Sequence, residues 1–241
     1  MSNKIKEMSW VEFDKRRKET SLVIIPTGAI EVYGPQLPLG TDFIVAEELS
    51  ALVADKVNAL ISPAVEMGES SSLMEFPGTM AITMNNYESY MENVIQLLIG
   101  HGFKNFLFMN GHGGNTCIIT YLCKKYQRLY GIKCAQIDVW QFVEKHGGEI
   151  FEFKGNMAHG HAAESNTSMM LYLRPELVKM ELAEKIEPME DEFYDVLKYV
   201  EFKEKTPIGV IGDPTVATAE KGRKIVNKCV ERIVEFIQYY Y

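Results

Sequence analysis

The chain has 241 residues, 46% of them hydrophobic, enough to bury a sizeable core as a single enzyme-sized domain over 1–241. Its 33 acidic residues outnumber 25 lysines and arginines, and no basic cluster interrupts the net charge of −8, which excludes a nucleic-acid or anionic-membrane surface. The polar start, the lack of any run of about 18 apolar residues and four cysteines without a CxxC pair or secreted framework predict a cytoplasmic protein with free, buried thiols.

Short apolar runs alternate with segments of helical spacing. The first strand is predicted at LVIIP (22–26), followed by the loop PTGAIEVYGPQLPLGTD (26–42) and a helix over 43–57. Strands follow at ALISPAV (59–65), NFLFMN (105–110) and KCAQIDV (133–139), with helices at 86–101 and 115–130 between them. A further helix is expected within AHGHAAESNTSMML (158–171), where Met169 and Met170 read as core, and a last amphipathic one runs from Ala217 to Tyr239. Residues 185–206 fit either a surface helix or an extended arm. Continuous apolar strands separated by helices predict an α/β protein, its mostly parallel sheet covered on both faces.

Open α/β sheets bind ligands outside the carboxyl ends of their strands, where two of these loops emerge. The first carries Glu31 and Asp42, either two solvated carboxylates on a turn or part of a metal site. The second, NGHGGN (110–115), surrounds His112 with glycines, either as an ordinary strand-to-helix turn or to allow close approach to an imidazole ligand. His161 and Glu164 lie three apart at an apparent helix start, and so are expected on one face. Helix capping accounts for Glu164 but not for the crowding of histidines and glycine at that entry. Oxygen and nitrogen donors without thiolates suit zinc, manganese or iron rather than a structural zinc knot. GDPTVATAEKG reads as a turn before a helix, with Asp213 and Thr215 capping, and the QYYY tail as a candidate contact with a neighbouring subunit.

Five blocks in order, PTGAIEVYGPQLPLGTD, EFPGTMAIT (75–83), LFMNGHGGN, HAAESNTSMML and GVIGDPTVATAEKGRKI (209–225), make the chain resemble the creatininase (creatinine amidohydrolase) family of metal-dependent hydrolases. The resemblance implies a three-layer α/β/α fold, a one- or two-metal site, a small-molecule substrate and a homo-oligomer. It assigns Glu31, Asp42 and His112 to the metal, with Glu164 completing the shell. Family members usually carry His at the position of Tyr33, a second His at Gln36 and a Glu-His pair at Ser72-Leu73, while an acid is common at Asn166. One ion is therefore expected rather than two, because a phenol near pKa ~10 replaces a neutral nitrogen ligand. One ion can still bring a bound water toward pKa ~7 and polarise a carbonyl. Tyr33, His161 and Glu164 then stand as catalytic groups, with Tyr33 a donor or acid and His161 a proton shuttle. Gln36, Ser72, Asn115 and Asn166 are expected to face the substrate.

The implied activity is hydrolysis at a carbonyl of a small polar cyclic substrate, an amide or other C–N bond, with creatinine disfavoured by the exchanged pocket residues. Ring opening of a polyhydroxy ketone such as 3-dehydro-scyllo-inosose is the second expectation. Metabolite binding without catalysis is the third.

Overall fold

A computed structural model describes residues 2–189, 192–193, 195–196 and 198–241. Strands β1 (Leu22–Thr27), β2 (Leu60–Ile61), β3 (Asn105–Asn110) and β4 (Lys133–Asp138) form one parallel sheet in the order β2-β1-β3-β4. The helices in chain order are α1 (Trp10–Arg16), α2 (Thr41–Ala54), α3 (Met84–Gly100), α4 (Thr116–Tyr130), α5 (Val139–Gly147), α6 (Asn156–His159), α7 (Glu164–Leu173), α8 (Phe202–Lys205) and α9 (Ala219–Tyr240).

Side-chain alternation along the strands builds the three layers. Leu22, Ile24, Leu107 and Met109 face one core with residues of α2, α5, α7 and α9. Val23, Ile25, Phe106 and Phe108 face the other, against α3 and α4. Because both faces are covered, β1 and β3 read as nearly continuous apolar runs, whereas the edge strand β4, KCAQID, stays partly exposed. The fold is the expected three-layer α/β/α. No described helix is long and apolar enough to cross a membrane.

Several boundaries differ from expectation for local reasons. The second strand spans only two residues, and its pairing with β1 returns, one residue out of register, only at the Thr27–Val65 bridge. Helix α2 begins at Thr41, so Asp42 belongs to a helix's first turn, not to the loop. Helix α7 begins only at Glu164, and Ala162 before it adopts φ 53°. His161 therefore lies outside the helix, and the expected shared face with Glu164 does not form. Within 185–206 the structure shows α8 and a bridge between Ile186 and Gly212; the readings at Glu190, Asp191, Tyr194 and Leu197 fall outside the described residues. Asp213 accepts a hydrogen bond from the Thr215 amide, while Thr218 caps α9. The tail packs on its own sheet, where the Tyr241 hydroxyl donates to the Phe106 carbonyl at 2.6 Å. All four cysteines are free; Cys229 is buried, but Cys117 is exposed.

Candidate metal centre

Three chain segments meet at the carboxyl edge of the sheet. The loop after β1 is held by Glu31 N–H donating to Leu39 O at 2.9 Å and Met80 N–H to Ile30 O at 2.8 Å, which fixes Glu31. Asp42 sits in the first turn of α2, where the helix dipole favours a carboxylate. His112 follows β3, and its backbone is pinned by Asn110, whose Nδ2 donates to His112 O at 2.8 Å and whose Oδ1 accepts from His112 N at 3.2 Å. Two glycines make the approach possible. A Cβ on Gly111 would overlap the Asp42 carbonyl, and one on Gly114 would overlap both Glu69 O and the His112 ring.

Glu31, Asp42 and His112, all buried, each offer one ligand atom, and these atoms lie within 4.8 Å of one another. His112 Nδ1 is 3.0 Å from Asp42 Oδ2 and 3.1 Å from Glu31 Oε2. Its Nε2 lies 2.7 Å from Glu69 O and donates there, leaving Nδ1 to face two carboxylates. A lone pair opposite two carboxylates is repulsive unless a cation or proton lies between them. This donor set, two oxygens and a nitrogen tied back through its second ring atom, suits a divalent ion such as zinc or manganese. Without an ion the proton takes that place. Burial disfavours the charged His112 ring, yet Glu31 and Asp42 outweigh it and hold its pKa well above the ordinary value.

The remaining polar atoms of the set are engaged around it. Tyr33 OH and Trp140 Nε1 both donate to Asp42 Oδ1 at 2.7 Å, leaving Oδ2 toward His112. Burial foremost, then the charges of Asp42 and Glu31, push the Tyr33 phenol well above its usual pKa, so it remains a donor. Burial and Glu31 also raise the Asp42 carboxyl. Ser70 Oγ donates to Glu31 Oε2 at 2.6 Å. His161 donates from Nδ1 to Gly209 O at 2.8 Å, with Nε2 3.2 Å from Glu31 Oε1. Burial works against the Glu31 charge, but His112 and His161 outweigh it and hold this carboxyl below the usual range.

Other residues expected at the site lie elsewhere. Glu164 is fully buried, accepts from the amides of Glu152 and Phe153, and pairs with Lys221 Nζ at 2.6 Å; it is not one of the three converging ligands. The turn at Ala162 aims it away from His161's direction. Gln36 donates to Ala162 O at 2.8 Å, bracing that turn. Asn115 ties Gly28 O to Glu69 N, and Asn166 accepts from Ala163 N; both are buried framework bonds. Ser72 is exposed, whereas its neighbour Ser70 reaches Glu31. Ser70, Trp140 and the Glu69 carbonyl were missed. Trp140 directly follows the strand-end region of β4, a signal that could have flagged it; nothing local distinguishes Ser70 among three consecutive serines.

The Creatininase family profile, described as creatinine amidohydrolase, matches residues 6–237. The creatinine amidohydrolase of Pseudomonas putida is 27% identical, with 96% of this chain and 95% of the relative covered. A mycofactocin precursor peptide peptidase of Mycobacterium ulcerans is 29% identical over 89% of this chain and 85% of its own length. The 3-dehydro-scyllo-inosose hydrolase of Thermotoga maritima is 24% identical, covering 96% and 81%. Among solved structures, a manganese creatininase superposes with a TM-score of 0.86 at 26% identity, covering 99% of this chain and 98% of that one. A zinc–zinc form of a creatininase mutant has a TM-score of 0.85, with the same identity and coverage. From its first helix to its last, by sequence and by fold, the chain belongs to the creatininase family.

Proposed function

We propose that the protein is a metal-dependent hydrolase that holds one zinc, manganese or iron ion at Glu31, Asp42 and His112 and acts on a carbonyl of a small polar substrate, a cyclic amide or related C–N bond. The observation that carries this reading is the buried convergence of these two carboxylates on one imidazole nitrogen. A divalent ion held there would supply Lewis acidity, bringing a water toward pKa ~7 and polarising the carbonyl.

The chain's own groups have separable tasks. His161, with Nδ1 committed to Gly209 O, can take and return a proton only at Nε2, the atom beside Glu31. Tyr33 and Trp140 orient Asp42, and Ser70 orients Glu31. The protonated Tyr33 stands where the family usually carries histidine, which supports one ion rather than two. Glu164 acts through Lys221 as a brace for the start of α7. The hydrogen bonds of Gln36, Asn115 and Asn166 favour a framework role over the substrate contact expected of them.

Metal analysis of protein purified without chelator, followed by turnover assays with that metal restored, tests the proposal. The relatives' names span an amidohydrolase, a precursor-peptide peptidase and an inosose hydrolase, so the panel contains lactams, short peptides and inososes. We expect about one ion per chain and turnover of one substrate class. Both should be lost in His112→Ala, with the fold retained. Full metal occupancy in His112→Ala refutes the ligand assignment. A metal-free protein inert on every substrate supports the metabolite-binding reading instead.

A further inference from the structure

Helix α5 serves the metal centre with one face only, where Trp140 reaches Asp42. At 3.6 residues per turn, Phe142, Lys145 and His146 centre on the opposite face. There a cleft of about 410 Å³ opens between α5, the end of β4 and α9, within the range of roughly 300–1,000 Å³ that takes small ligands. Its apolar lining includes Ile137 and the rings of Phe142 and Phe236, and its cationic lining is Lys145 and Arg232 with His146 beside them. The His146 and Phe142 rings pack with centroids 4.4 Å apart.

The positive sign of this cleft runs against the net charge of −8. Lys228 stands one turn before Arg232 on α9. Burial first, then the charges of Lys228, Arg232 and Lys145, lower the His146 pKa, and no described carboxylate offsets them there. Among the described residues Lys145 and Lys228 make no ion pair. Arg232 meets Glu235 at 2.9 Å, with both side chains mostly exposed and the pair correspondingly weak. Asp138 also lines the cleft, but its Oδ1 accepts from Asn110, Thr116 and Gln136 at 2.7–2.9 Å, so three donors already engage its charge. Cations gathered without partners repel one another, and an anion seated among them relieves that repulsion. The two rings offer apolar area to whatever carries the anion. We propose that this cleft binds a small organic anion, a carboxylate or phosphate on an apolar body of ring size. Its charge lies toward Lys145 and Arg232 and its body against Phe142 and Phe236. The site is separate from the metal centre and goes beyond the hydrolase reading.

The probes are phenyl phosphate and benzoate, added to the protein as purified. Calorimetry measures affinity, and ring-proton spectra follow His146, identified by signal loss in His146→Gln. We expect a Kd below about 1 mM for at least one probe, and a His146 pKa that rises as the anion offsets the neighbouring cations. Inorganic phosphate lacks the ring and benzyl alcohol the charge, so each should bind about 10-fold more weakly or worse. Lys145→Gln combined with Arg232→Gln, both exposed positions, lowers affinity about 10-fold at unchanged Tm. His112→Ala leaves binding intact, which separates the cleft from an anion held at the metal. No binding of either probe at about 10 mM overturns the proposal, as does full affinity in the double variant or loss of binding in His112→Ala. A sedimentation mass that falls in Lys145→Glu combined with Arg232→Glu, with neither probe bound by the parent, makes the cleft an interface between copies and also overturns it. Turnover plays no part in these measurements, so failure of the hydrolase reading is scored separately.

Discussion

Removing the Lys221 ammonium should expose how Glu164 is used. The Glu164 side chain is 0% exposed and its partner 20% exposed. Lys221 Nζ donates to Glu164 Oε1 at 2.6 Å and to Val216 O at 2.8 Å, joining α9 to the start of α7. Lys221→Met keeps the aliphatic stem but leaves a buried carboxylate with only backbone donors. Breaking one side of a buried pair costs about 3–5 kcal/mol. For a chain of this length each kcal/mol shifts Tm by roughly 2–4 °C, so the midpoint should fall by about 6–20 °C. Urea unfolding followed by circular dichroism measures the free energy, and calorimetry the midpoint. Glu164→Gln combined with Lys221→Met should recover most of the loss, because the neutral amide still accepts the Glu152 and Phe153 amides without an unpaired charge. A Lys221→Met variant within about 0.5 kcal/mol of the parent, the usual range for inconsequential surface changes, would refute the argument. So would loss of bound metal in Glu164→Gln at unchanged stability, which would return Glu164 to the ligand role implied by the family resemblance.

Elemental analysis should find nearer one ion than two per chain, and Tyr33→His should raise that ratio; two tightly held ions in the parent would contradict a buried, protonated Tyr33. In metal-free protein burial opposes the charged form of His112, but Glu31 and Asp42 prevail and raise its pKa. Its stabilising contribution is therefore complete below the unfolded value of about 6.5 and disappears as pH rises through the folded one. Zinc must displace that proton, so calorimetry in buffers of different ionisation enthalpy should show release of about one proton near pH 7 and affinity rising with pH. Gly114→Ala forces a methyl against Glu69 O and the His112 ring, and should weaken zinc binding about 10–100-fold, the range for lost support of a ligand. Unchanged affinity there would mean that the Glu69 contact does not orient His112.

How far the site could be read in the sequence depended on whether position along the chain implied position in space. Strand β3 and the His112 turn were legible because an apolar run followed by NGHGGN dictates both a buried strand and a close approach at its end. Glu31 and Asp42 were legible as candidates because the first loop leaves the same sheet edge. The His161–Glu164 pair misled, because the three-residue spacing places two side chains on one face only inside a helix. A single left-handed residue, Ala162, moves His161 toward Glu31 and Glu164 toward Lys221.

By itself the sequence determined the alternation that covers the sheet on both faces, and the oxygen- and nitrogen-rich donors that emerge at one edge of it. Those are properties of local periodicity and residue chemistry. Only the tertiary structure decided which donors meet. It chose Ser70 over Ser72, turned Tyr33 and Trp140 onto one oxygen of Asp42, and brought Phe202 against His161 from more than forty positions away. Such pairings join residues remote in sequence, and their geometry follows from how the packed layers meet.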